Sequence, residues 1–103
     1  MGMDLRGKWR GSTPQEIKDK NEYGANLHYN WTGWGWLLNR LEEWGIDIKE
    51  FSGTNDGEIL SRKTCKAVAE AIEQHIKELQ ETDQYWLKDH IEVWKWVTRF
   101  KQL

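Results

Sequence analysis

The sequence predicts an all-α protein, a small bundle of three main helices with an irregular, Trp-rich N-terminal arm. Three observations predict it. Apolar residues recur at i, i+3, i+4 and i+7 in three segments, which gathers them on one helical face. Capping and stop residues stand at the ends of those segments. The alternating run Ile46, Ile48, Phe51 has no evident partner strand. A chain of 103 residues has room for one domain and one core. Residues 1–31 read as the arm with a short helix, and 32–103 as the helical core.

Taken in order, residues 1–12 carry Gly2, Gly7 and Gly11 and read as irregular. Thr13-Pro14-Gln15-Glu16 then forms a capping box with Pro at the first helical position. The helix it opens, Pro14 to about Lys20, has only Ile17 as an apolar residue and reads as a surface helix. From Thr32 to Trp44, the residues Trp34, Leu37, Leu38, Leu41 and Trp44 share one face, and Gly45 ends the helix. Residues 46–60 read as a linker, with dense turn chemistry from Ser52 to Gly57. Ser61 caps a second long helix, Arg62 to Leu79, with the stripe Cys65, Val68, Ala69, Ile72, Ile76, Leu79. Thr82 or Asp83 caps a third, about Gln84 to Lys101. Leu87, Ile91 and Trp94 form one of its rows, and Trp86, His90, Val93, Val97 and Phe100 another. So wide an apolar face packs on two neighbours, or leaves surface for a second copy in a homodimer.

Composition excludes several classes. Hydrophobic residues make up 38% and charged residues 31%, and no apolar run approaches the ~18 residues of a membrane span. The net charge of −2 does not favour duplex nucleic acid or an anionic membrane. The single cysteine, Cys65, allows no internal disulfide and suits a reducing, cytoplasmic setting. No apolar signal segment is visible at the start, and Arg6 stands where a myristoylation motif needs Ser or Thr.

Eight tryptophans against two phenylalanines is the unusual feature. Trp34, Trp44, Trp86 and Trp94 lie on apolar stripes and read as core. Trp9, Trp31, Trp36 and Trp96 lie among charges, glycines or at a stripe edge, and exposed indoles commonly mark a binding surface. Residues 1–11 hold three cations and one acid in an otherwise acidic chain. Aromatic faces, cations and free N–H groups at the helix start near Thr32–Gly35 suit a planar anion. The candidate contact residues are Arg6, Lys8, Trp9, Arg10, His28, Tyr29, Trp31 and Trp36.

Catalytic and metal motifs are weak. Cys65 sits on an apolar stripe and reads as an inert buried thiol. His90 has Trp86 and Trp94 one turn either side and reads as a satisfied histidine, while His75 reads as a boundary residue. No His or Cys pair has metal-ligand spacing, so neither a metal nor a cofactor is expected. Asn55-Asp56-Gly57-Glu58 lacks the acids of a calcium loop and reads as a turn. No phosphate loop or nucleophile signature is present, and no enzyme activity is expected.

The start Met1-Gly2-Met3-Asp4, the cluster Trp31, Trp34, Trp36 and the turn Asn55-Asp56-Gly57 before a helix rich in Ala and Ile together resemble a group of short, Trp-rich bacteriophage and bacterial proteins. The resemblance covers roughly residues 1–76; Leu37 replaces a Pro common after the last Trp, and a helical ending replaces a Cys-rich piece found in some members. The group brings no assigned activity. It implies a phage or mobile-element origin and a counter-defence role. The expected function is therefore a non-enzymatic protein that sequesters a planar, anionic, nucleotide-like ligand. The alternative is a protein–protein inhibitor or adaptor that engages a host effector through exposed Trp and acidic helices.

Overall fold

The first strand explains how the expected arm is in fact ordered. From Gly2 to Trp9 the chain alternates, with Met3, Leu5 and Trp9 buried and Asp4, Arg6 and Lys8 exposed. That period of two is a β-strand with one face on the core. The computed structural model describes residues 2–10, 13–24, 26–51 and 57–103, apart from the side chain of Tyr23. The expected turn residues 52–56 and Gly11 lie outside the described residues. Elements follow as β1 (Gly2–Trp9), α1 (Pro14–Tyr23), β2 (Asn26–Asn30), α2 (Trp31–Glu43), β3 (Ile59–Leu60), α3 (Arg62–Gln74), α4 (Ile76–Leu79), a 3₁₀ helix (Tyr85–His90), α5 (Ile91–Trp96) and β4 (Val97–Gln102).

The strands form one antiparallel sheet of order β2-β1-β4-β3, so the all-α bundle is corrected to a mixed helix-and-sheet fold. Helices pack on its inner face, where Met3, Leu5, Leu27, Tyr29, Leu60 and Phe100 meet Trp34, Leu37, Val68, Ile72 and Trp94 in one buried cluster. Gly7 lies inward on β1 beneath Phe100 and Val97; a Cβ there would come within 2.7 Å of both side chains. The absent side chain is what lets the Phe100 ring cross the strand.

The helical expectations divide. Thr13 caps α1 by accepting from the Glu16 amide, as the sequence predicts. However, α1 turns its carboxylates inward: Glu16 and Asp19 are each 3% exposed, while Ile17 is 49% exposed. For α2, the Asn30 side chain accepts from the Gly33 amide, and Gly45 follows the helix with φ 85°. Ser61 caps α3 as expected, but the second long helix breaks at His75, whose ring stacks on Trp44 at 4.4 Å.

The third helix is corrected most. Only Ile91–Trp96 is α-helical, preceded by the 3₁₀ turn and followed by β4. The β1–β4 register shifts between Lys8 and Trp9, so Trp9 faces Val97 while Lys8 faces Arg99. Thr98 is the extra residue of that bulge. It leaves Val97 and Phe100 both inward at a spacing of three, which imitates a helix in a strand. The wide face expected of a helix is thus divided among the 3₁₀ turn, α5 and β4, with Leu87, Ile91, Val93, Trp94, Val97 and Phe100 buried and Trp86 exposed.

Candidate functional site

The eight candidate residues do not share one cleft. The alternation of β1 sends Trp9 to the core and Arg6 and Lys8 to the opposite face. Trp9 is 8% exposed, and its Nε1 donates to the Gly24 carbonyl at 2.9 Å. Arg10 is engaged within the molecule. Its guanidinium lies 3.0 Å from the Glu16 carboxylate and 5.3 Å from the Trp96 ring centre, joining β1 to α1 and α5.

Tyr29 is also buried, so its expected role as a ligand contact is corrected. Its hydroxyl accepts from Trp94 Nε1 at 3.0 Å and lies 2.9 Å from His90 Nδ1. The Tyr29 hydroxyl thus bridges the indole N–H and His90 Nδ1, and the direction of its bond to His90 follows the imidazole tautomer. Burial pushes the Tyr29 hydroxyl well above its ordinary pKa, with the Trp94 bond opposing more weakly. Burial pushes His90 below its ordinary value, opposed by nearby Asp89. His90 is thus the satisfied histidine the sequence suggests, held edge-on to Tyr29 and Trp86. Burial likewise pushes the Cys65 thiol up to about 12, which makes it inert.

Trp31, the first residue of α2, is exposed, as is Trp86, for which the apolar stripe predicts a core position. Trp36 is half-buried, with Arg40 5.2 Å over its ring; both border a small hollow of about 120 Å³ with Trp44, Glu78, Leu79 and Thr82. The free amides expected at the start of α2 are partly used, since Asn30 occupies that of Gly33.

Arg6, Lys8 and His28 remain together, on the outer face of the sheet. There the register adds two residues that the helical pattern assigns to a helix tail. Arg6 stands directly opposite Lys101, and Lys8 opposite Arg99. All four are exposed, and among the described residues none has an ion-pair partner. Among the described residues the one acid on this face is Asp4, which faces His28 across β1–β2 with Oδ1 2.6 Å from His28 Nδ1. Asn26, Asn30 and Ile59 complete the outer positions. A shallow open hollow of about 400 Å³ lies at the Asp4–Arg6 and Asn26–His28 end. Among the described residues the face carries four cations and one acid, net +3 with His neutral, on a chain of net −2.

Like charges directly opposite on a sheet are unfavourable. What this face can do chemically is hold phosphate or carboxylate oxygens between two strands, by Arg forks and Lys ammonium groups. Among the described residues no group of three His, Cys, Asp or Glu is placed to hold a metal, and no helix is long and apolar enough to cross a membrane. The signal for Arg99 and Lys101 was present in the sequence as the alternation Arg99, Phe100, Lys101, Gln102 after β-branched Val97 and Thr98. In comparisons with known proteins, the chain matches no family model, no curated protein and no solved structure.

Proposed function

We propose that this is a non-enzymatic, cytoplasmic binding protein that sequesters a nucleotide-like anion, with the ligand's phosphates held on the outer sheet face by Arg6, Lys8, Arg99 and Lys101. The observation that supports the reading is the cross-strand pairing of cation with cation, Arg6 with Lys101 and Lys8 with Arg99. Such pairs are unfavourable, and a bound anion relieves that cost. Solubility does not require them, since the rest of the chain carries a net −5. The resemblance to short phage proteins suggests counter-defence as the setting, where removal of a nucleotide signal or strand is the useful act.

Calorimetry at low salt against mono-, di- and cyclic nucleotides, nucleosides and short oligonucleotides tests this. Phosphate-bearing compounds should bind, nucleosides should not, and Arg99→Gln and Lys101→Gln should each weaken binding. Silence across the whole panel removes the reading.

A second reading, a protein–protein inhibitor, is favoured by the opposite surface. There α3 exposes Glu70 and Glu73 around a shallow hollow of about 290 Å³. Loss of biological effect in Glu70→Lys/Glu73→Lys, with Arg99→Gln/Lys101→Gln unaffected, would establish it instead.

A further inference from the structure

We propose that the outer sheet face takes a run of single-stranded nucleic acid, its phosphates laid along the β1–β4 cation rows and one base stacked at Trp31. This rests on reading that face as a nucleotide-phosphate site, and it names the ligand class.

Length is the first argument. Outward positions on a strand recur every two residues, about 6.6 Å apart. The Arg6/Lys101 row and the Lys8/Arg99 row therefore follow one another at close to the step between successive phosphates of an extended single strand. Trp31, exposed at the start of α2, directly follows Asn30, which pairs with Gly2 at the far end of β1. From Gly2 to Arg6 is about 13 Å along β1 and to Lys8 about 20 Å. One nucleotide cannot place its base at Trp31 and its phosphate between these rows. Several linked nucleotides can.

Topography is the second argument. A pocket that captures a small molecule buries roughly 70–90% of the ligand. This face offers short polar side chains at Asn26, His28 and Asn30 and a hollow open to solvent. A polymer gains affinity on such a surface from many weak contacts in sequence. Apolar Ile59, 48% exposed beside Lys101, adds a contact for sugar or base. No aromatic ring stands among these outer strand positions, so phosphate contacts dominate and sequence preference is weak.

The experiment is fluorescence anisotropy with a labelled single strand of about 12 nucleotides, within the ~4–16 that comparable grooves occupy. Competitors are the matching duplex, a mononucleotide and poly-glutamate. The single strand should bind best, with log K falling against log salt at a slope of about −0.7 per phosphate contact, or roughly −3 for four cations. Arg99→Gln and Lys101→Gln should each shallow that slope by about 0.7. Trp31→Ala should weaken binding about tenfold and leave the slope unchanged. These side chains are exposed, so the variants should melt no lower than the parent.

A mononucleotide that competes mole for mole with the strand overturns this inference and leaves the proposed function standing. A duplex or poly-glutamate that binds as tightly as the strand also overturns it, in favour of a duplex or an acidic protein partner. Slopes unmoved by Arg99→Gln and Lys101→Gln overturn both readings.

Discussion

The proton between Tyr29 and His90 ties the stability of the core to pH. His90 is neutral in the folded chain, and burial lowers its affinity for a second proton. In the unfolded chain it titrates near its ordinary value of about 6.5. Below that pH the unfolded chain binds more protons than the folded one, so stability is whole above about pH 6.5 and falls as the solution is acidified. Urea melts between pH 8 and pH 5 should show this slope, and His90→Gln should flatten it. A slope that survives the substitution would assign the proton elsewhere. Tyr29→Phe leaves Trp94 Nε1 and His90 Nδ1 without their hydroxyl partner and should cost about 1–3 kcal/mol, measured by the same melts. Trp9→Phe should cost about 1 kcal/mol through its lost bond to Gly24 and leave ligand binding unchanged, because that indole faces the core.

At the scale of elements, close approach and capping decide where the chain tolerates change. Gly7→Ala forces a methyl against Phe100 and Val97 and should destabilise by about 1–3 kcal/mol in thermal or chemical melts. Ser61→Ala should cost about 1 kcal/mol or more. Its hydroxyl caps α3 and also donates to Glu50, whose carboxyl is held below its ordinary range chiefly by the Thr64 hydroxyl. The caps at Thr13 and Ser61 and the stop at Gly45 were legible because each relies on a local pattern of a few residues. The strands were hidden for reasons of the same kind. One of β1's inward positions is Gly7, so its alternation was interrupted where the sheet needed room. Only Leu27 and Tyr29 point inward from β2, too few to define a period. The bulge at Thr98 gave β4 the spacing of a helix. Of the candidate outer face, Arg6, Lys8 and His28 are named by the sequence from their charge and neighbours, whereas Arg99 and Lys101 join them only through the register of a sheet that no local pattern announces.

At the scale of the whole molecule, the like-charge pairs on the outer sheet face set a balance between stability and binding. Lys8→Gln or Lys101→Gln removes a like-charge neighbour and should raise stability by a few tenths of a kcal/mol at low salt. The gain should fade as salt shortens the Debye length from about 10 Å at 0.1 M toward about 3 Å at 1 M. Melts of both variants at the two salt concentrations check this, and a loss of stability at low salt would show that the cations hold the sheet together rather than strain it. The sheet order has a consequence for how the chain reaches this state. Its two central strands are β1 and β4, and Leu5 finds Gln102 across nearly the whole sequence. A nascent chain can join β1 to β2 early, but Met3, Leu5 and Trp9 keep an open flank until β4 leaves the ribosome. Such long-range closure is slow, so the sheet and its cationic face are completed late in folding, when β4 pairs with β1.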